Sequence, residues 1–241
     1  MDTVLSIKGL TKKHFNKTIL DNIDLEIGYG QIIGLIGSNA SGKTTLLNSI
    51  SGMTRFNSGK VLVCGKPLCV DTKHQVSYHT SQHNFEKWMT IKDCIKVYHS
   101  SFHGFNAEKI EASLGIYGLD LKTRISELSI GKLEILAVLL TLSRKANLYL
   151  FDEPLAAVDV SVRDKIIELL LGHIDENCSI VIATHLLKDM GKIFDEVIMM
   201  HEGRILKQIN VEDVKMSEGK TVEELFKEVF DDEDTYAVAN I

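Results

Sequence analysis

Hydrophobic positions fall into short runs whose period changes along the chain. Residues 19–27 alternate, with Ile19, Ile23, Leu25 and Ile27 set against Asp24 and Glu26, which predicts a half-buried strand. Residues 4–7 alternate weakly and read as an edge strand. The turn Gly28-Tyr29-Gly30 leads into Ile32-Ile33-Gly34-Leu35-Ile36, an apolar run of strand length. Ser58-Gly59 opens a second small β region, with short strands expected at 61–63, 68–70 and 76–78, separated by Gly65-Lys66-Pro67 and polar turns. The character changes at Gln82. Residues 90–118 carry a helical pattern, with helices expected at 91–102 and 107–117 and Gly118 as the stop. Residues 133–142 are apolar nearly all round and predict a helix buried on several sides. Apolar strands follow at 147–151 and 179–183, with an amphipathic helix at 162–171 between them. Residues 197–200 and 204–209 form an expected hairpin through Glu202-Gly203. A last helix at 222–230 places Val222, Leu225, Phe226 and Val229 on one face.

Strands alternating with helices predict an α/β fold with a largely parallel sheet. A length of 241 residues suits one large domain or two small ones. With two prolines, no repeat and no Pro-rich linker, the expectation is a single domain over 1–241, with a helical subdomain inserted at about 87–145 and an acidic amphipathic tail at about 220–241.

Composition refines this picture at three points. The start, Met1-Asp2-Thr3-Val4, lacks a basic, apolar leader, and the longest apolar run, around 135–142, is too short to span a bilayer. The expectation is a soluble cytoplasmic chain whose membrane role comes only through a partner. The net charge of −6 is local: residues 223–234 hold seven acids and Lys227, which already sum to −6. No basic stripe suggests a nucleic-acid footprint. The cysteines Cys64, Cys69, Cys94 and Cys178 lack metal-ligand spacing, so buried thiols are expected and a zinc site is not.

The chemistry centres on Gly37-Ser38-Asn39-Ala40-Ser41-Gly42-Lys43-Thr44-Thr45, a full match to G-x-x-x-x-G-K-[ST]. An apolar strand precedes it and a helix pattern begins at Thr45, the context the motif requires. Glycines let the backbone curl so that successive N–H groups face a phosphate, and the helix N-terminus adds the positive end of its dipole. Lys43 is placed to reach β- and γ-phosphates, and the Thr44 hydroxyl to ligate Mg²⁺. Two further apolar strands end in ionisable residues, Asp152-Glu153 and His185. In open α/β sheets ligands bind at the carboxyl ends of strands, so all three groups are expected in one crevice. Asp152 would hold Mg²⁺, Glu153 would polarise the attacking water and His185 would orient the γ-phosphate. A strand-end acid alone is more often the N-cap of the next helix; two in tandem downstream of a phosphate loop favour catalysis.

The phosphate loop, Gln82, Leu128-Ser129-Ile130-Gly131-Lys132, Leu148-Tyr149-Leu150-Phe151-Asp152-Glu153-Pro154, Asp159 and His185 follow the order found in ATP-binding cassette (ABC) ATPases. The chain resembles the nucleotide-binding subunit of a bacterial ABC transporter from residue 10 to about 230. Its acidic amphipathic tail makes it look most like multidrug and antimicrobial-peptide exporters. The resemblance implies the ABC ATPase fold: a P-loop NTPase with a mostly parallel central sheet, an antiparallel β region and an inserted helical subdomain. It implies ATP hydrolysis with Mg²⁺ and a transmembrane permease subunit as partner. It also implies a homodimer or heterodimer of ATPase subunits, peripheral on the inner face of the cell membrane.

By position, Phe15 resembles the aromatic that stacks on adenine, with a core phenylalanine as the alternative. Gln82 resembles the glutamine that ligates Mg²⁺ and reports to the membrane partner. Asp159 resembles the acid at the dimer interface, with a helix N-cap as an alternative role that both readings permit. Ser129 and Gly131 resemble the signature that faces the γ-phosphate bound by the opposite subunit. The family usually has Leu-Ser-Gly-Gly-Gln there, so Ile130 and Lys132 are departures, and an altered signature implies slow hydrolysis or a partner cassette with the usual one. Three rivals stay open: a soluble ABC-type ATPase acting on nucleic acid or ribosomes, a regulatory cassette with weak hydrolysis, and a GTPase. The first lacks its usual coiled coil or second cassette. The last lacks an Asn-Lys-x-Asp motif.

Overall fold

Ile32, Ile33, Leu35 and Ile36 are each no more than 3% exposed, which requires their strand to be covered on both faces. The computed structural model, which describes residues 3–80 and 85–239, explains how. The strands β1 (Thr3–His14) and β2 (Lys17–Gly28) form a hairpin, and β3 (Ile32–Gly37) runs into α1 (Lys43–Ile50). Next come β4 (Ser58–Val63), the two-residue β5 (Lys66–Pro67), the one-turn α2 (Val70–Lys73) and β6 (Val76–His79). Helices α3 (Ile91–Ser101), α4 (Ala107–Leu114) and α5 (Ile130–Leu142) follow. The remainder alternates: β7 (Leu148–Asp152), α6 (Val160–Leu171), β8 (Ser179–Thr184), α7 (Leu187–Met190), β9 (Glu196–His201), β10 (Arg204–Asn210), α8 (Val211–Glu218) and α9 (Val222–Ala239).

Two sheets result. One is antiparallel, in the order β2-β1-β4-β5. The other runs β10-β9-β3-β8-β7-β6, parallel throughout except for the β9–β10 hairpin. Because side chains alternate along a strand, β3 serves two cores. Ile33 and Leu35 join Leu5, Ile7, Ile23 and Leu25 between the sheets, with Leu46 and Leu47 of α1. Ile32 and Ile36 join Phe151, Ile180, Ile182 and the helices on the other face, where α5 contributes Leu136, Val138 and Leu140. Burial on both faces is what parallel strands with helical crossovers require.

Several expectations need correction. β1 is no edge strand: it pairs with β2 on one side and β4 on the other, and it extends well past residue 7. The supposed strand at 68–70 is absent. Thr72 Oγ1 accepts from the Cys69 N–H at 2.8 Å and starts the short α2, leaving Val70 exposed. The run at 76–78 belongs to the parallel sheet beside β7 and not to the small β region. Helix α8 was not foreseen; Asn210 caps it through Oδ1, which accepts from the N–H groups of Glu212 and Asp213. Among the cysteines, Cys94 and Cys178 are buried as expected, but Cys64 is half-buried and Cys69 exposed. No helix among the described residues is long and apolar enough to cross a membrane.

Candidate functional site

The phosphate-loop motif occupies the turn between β3 and α1. Gly42 stands at the helix N-cap with φ +107°, a left-handed conformation, and an added Cβ would lie 3.1 Å from the Ile19 carbonyl and Leu20 Cδ2. Only glycine meets both demands. Among the described residues no side chain caps α1 and no acid stands in its first turn. Its first N–H groups and the positive end of its dipole are therefore left to an external anion. Lys43 is 7% exposed and donates from Nζ to the carbonyls of Gly37 (2.8 Å) and Ser38 (3.1 Å). Burial pulls its pKa down, and the carboxylates of Glu153 and Asp152 pull the other way.

β7 and β8 are parallel neighbours with Asp152 opposite Ala183, so Asp152-Glu153 and Thr184-His185 leave the sheet side by side. The Thr44 hydroxyl donates to Asp152 Oδ1 at 3.1 Å. Asp152 is 2% exposed, and its pKa is raised chiefly by burial, against the Thr44 hydrogen bond and the charges of Lys43 and His79. Tyr78 stands beside the same carboxylate; burial and Asp152 together raise its pKa. Glu153 adopts φ +52° and donates its N–H to the Ala183 carbonyl at 2.9 Å. Its Oε2 lies 3.0 Å from Nδ1 of the half-exposed His185. A left-handed glutamate is strained backbone, and such strain collects where a side chain must be aimed.

Lys43, Thr44 and Glu153 face a cleft of about 780 Å³ lined by Ser38–Thr45, Glu153, residues 17–19 and the β9–β10 turn, His201-Glu202-Gly203, while Asp152 and His185 reach it only through their contacts with Thr44 and Glu153. That turn is tied to the loop by the Gly203 N–H, which donates to the Ser41 carbonyl, and to β2 by the Gly203 carbonyl, which accepts from Asp21. The residues fit a nucleotide with a divalent cation. The buried Ser41 Oγ has no hydrogen-bond partner among the described residues, and the helix N-terminus is open to phosphate. The Thr44 and Asp152 oxygens, side by side, are the hard donors that Mg²⁺ takes.

The other expected residues lie elsewhere. Phe15 is 90% exposed in the β1–β2 turn at φ +50°, which removes the core alternative. Asp159 caps α6: its Oδ1 accepts from the Val162 N–H (3.1 Å) and the Ser161 hydroxyl (2.7 Å), and these bonds lower its pKa. Ser129 likewise caps α5, accepting from the Lys132 N–H at 3.3 Å. A Cβ on Gly131 would meet Val162 Cγ2 at 2.8 Å, so the missing side chain lets α5 lie against α6. Lys132 Nζ donates to the Gly118 carbonyl at 2.8 Å, and Ile130 is 65% exposed. Ser129, Gly131 and Asp159 do not line the phosphate-loop cleft of their own chain. Gln82 lies outside the described residues. Sequence reading missed Tyr78 and the cleft wall made by residues 17–19 and His201. The only trace of the latter was the Glu202-Gly203 turn signal.

Comparison with known proteins adds independent findings. Residues 20–156, more than half of the chain, match the family model described as ABC transporter. The ribose import ATP-binding protein RbsA of Caldanaerobacter subterraneus is 25% identical over 246 residues, covering 94% of this chain and 50% of that protein. The putative ABC transporter ATP-binding protein AlbC of Bacillus subtilis is 28% identical over 207 residues, covering 81% and 87%. The spermidine/putrescine import ATP-binding protein PotA of Spiroplasma citri is 29% identical over 213 residues, covering 84% and 60%. The chain thus spans about half the length of RbsA. Relatives named for import, at 25% and 29%, stand at identities similar to the 28% of AlbC, so the exporter-like subtype gains no support here. A solved ATP-binding subunit of an ABC transporter superposes with a TM-score of 0.82 at 20% identity, covering 94% of this chain and 99% of that one. A dimeric bacterial ABC transporter cassette gives 0.75 at 20% identity, covering 86% and 98%. These likenesses establish the α/β P-loop cassette fold.

Proposed function

The chain belongs to the ABC transporter ATP-binding family, and on that premise we propose that it binds Mg-ATP in the phosphate-loop cleft and hydrolyses it to drive transport through a separate transmembrane subunit. One observation carries the proposal: an open helix N-terminus, the buried Lys43 and a carboxylate braced by a histidine converge on one cleft. The first-turn N–H groups of α1 bind the phosphates, and Lys43 moves from its loop carbonyls to the β- and γ-oxygens. Thr44 and Asp152 would hold Mg²⁺, which would offset the charge on the phosphates. Glu153 orients the attacking water and accepts its proton, and His185 fixes the glutamate through Nδ1. Catalysis is then positioning plus charge stabilisation.

In this reading two chains, identical or not, meet head to tail on the inner face of the membrane, each phosphate loop facing the other's Ser129 and Gly131. Asp159 lies at that seam, Phe15 stacks on adenine, and Gln82 would ligate Mg²⁺ and report to the permease. The direction is export, as the tail and the resemblance imply; ATP-dependent uptake by reconstituted vesicles oriented with the cassette inside would overturn that part.

The test is phosphate release by the purified chain with Mg-ATP and with Mg-GTP, alongside Lys43→Ala. Turnover favouring ATP, lost with Lys43→Ala, is the expected result. GTP preference, or stimulation by RNA or DNA, would favour one of the rival readings.

A further inference from the structure

The strand β6 carries more polar ties than its length requires, and most run to one helix. Arg144, just beyond α5, donates from Nη2 to the Val76 carbonyl at 3.0 Å. The Ser77 hydroxyl donates to the Thr141 carbonyl at 2.8 Å. His79 Nε2 lies 3.0 Å from Oε1 of Glu134, with the two side chains 2% and 10% exposed. Tyr78, facing the other way as strand alternation demands, stands at Asp152. The ties therefore descend α5 on one side, and the one nearest its N-terminus joins two ionisable groups.

A buried contact between a histidine and a carboxyl group is a poor way to gain stability, since an apolar pair of similar volume does as well or better. What it supplies is direction, because it tolerates one geometry and penalises its loss. The His79 ring lies against Phe151 with centroids 5.4 Å apart, and Phe151 immediately precedes Asp152. Glu134 is less than one turn from Gly131 and about one and a half turns from Ser129. The pair therefore bridges the strand end that holds the Mg²⁺-side acid and the helix end that carries the signature. We infer that His79 and Glu134 are positioning residues that fix the N-terminus of α5 relative to Asp152 and Glu153, so that phosphate-loop binding and signature presentation share one frame. The inference rests on the ATPase reading above but is separable from it.

The test compares the full chain as wild type, Glu134→Gln, Glu134→Leu and the double variant His79→Leu/Glu134→Leu. The readouts are kcat and KM for ATP, Kd for a fluorescent ATP analogue, Tm, and amide exchange over residues 130–136. Glu134→Leu alone sets an apolar group against His79 Nε2 and is expected to lower Tm; the double variant, with apolar groups on both sides of that contact, is expected to recover most of the loss. In the double variant kcat falls about tenfold or more while KM and Kd stay within about twofold, because the phosphate loop is intact. Exchange in the first two turns of α5 quickens by about tenfold as the helix end loses its anchor. Glu134→Gln, which keeps an oxygen facing Nε2, stays within about threefold of wild type in every readout. Wild-type kcat in the double variant, or a loss in Glu134→Gln as deep as in the double variant, would overturn the inference. Should the wild type not turn over ATP, the functional reading fails by itself. Amide exchange then decides the pair: faster exchange confined to the double variant upholds it, and equal exchange in all folded forms rejects it. If Glu134→Leu does not fold, the other two variants suffice.

Discussion

Asp152 and Glu153 are adjacent, yet their surroundings give them different work. Asp152 is buried, hydrogen-bonded by Thr44, and its pKa is raised by that burial. The folded state therefore holds the Asp152 proton to a higher pH than the unfolded chain. The stability linked to this group is present below the ordinary carboxylate range and is lost as pH rises through the folded value. At pH 7.5 the ionised carboxylate is a cost. Asp152→Asn should raise Tm at that pH by roughly 2–4 °C, a gain of about 1 kcal/mol, while abolishing Mg²⁺-dependent turnover. Thermal melts at pH 7.5 and 4 check it, since the advantage should shrink at the lower pH. Glu153 faces the cleft and His185, so Glu153→Gln should reduce kcat by about 10²–10³-fold with little change in nucleotide affinity. Phe15→Ala should weaken nucleotide binding by about 1–2 kcal/mol and Phe15→Tyr should not, with Tm unmoved in both because the ring is solvent-exposed; calorimetric titration measures it. The residues of the phosphate loop and the strand-end acids were legible because their chemistry demands fixed residue types at fixed spacing. Tyr78 and His201 were not, because they enter the site through strand order, which residue spacing does not encode.

At the scale of elements, two helix caps double as features of the expected dimer face. Ser129 caps α5 and Asp159 caps α6, and Gly131 lets the two helix starts touch. Gly131→Ala places a methyl 2.8 Å from Val162 Cγ2. Valine in a helix has one favoured rotamer and cannot step aside, so the variant should lose about 1–2 kcal/mol, recovered by Val162→Ala. Urea denaturation of the two single variants and the double one reads the coupling directly. If Val162→Ala fails to relieve Gly131→Ala, close packing is not what excludes a side chain there. The strands and long helices were readable from hydrophobic period, as in β2, where the alternation at 19–27 became a strand with Ile23, Leu25 and Ile27 buried as expected, although Ile19 is only half-buried and Leu20 takes the inner position there. Short apolar runs misled. Leu68-Cys69-Val70 looked like a strand until the Thr72 hydroxyl captured the Cys69 N–H and turned the chain into a helix. The run at 76–78 was a strand, but its partner, β7, is more than sixty residues distant, and only tertiary packing selects it.

For the whole molecule, the two cores on either side of β3 make the parallel sheet a shared wall between the antiparallel sheet and the helices. The signature end of α5 and the phosphate loop of the same chain do not meet in one cleft. A complete hydrolytic site on the reading proposed here therefore needs a second cassette, and the departures at Ile130 and Lys132 fall on the surface it would meet. Ile130 presents an exposed apolar side chain, and Lys132 is engaged with Gly118, leaving Ser129 and the helix dipole to face the phosphate. This is also where sequence reading left its alternatives widest, because an altered signature changes the contact without naming the partner that accepts it. The most direct measurement is the size of the Glu153→Gln variant on a gel-filtration column with and without Mg-ATP, run beside wild-type turnover. Slow hydrolysis by the wild type and a dimer of Glu153→Gln formed only with Mg-ATP are the predicted results. A variant that stays monomeric with bound ATP and hydrolyses it at the wild-type rate would contradict the account.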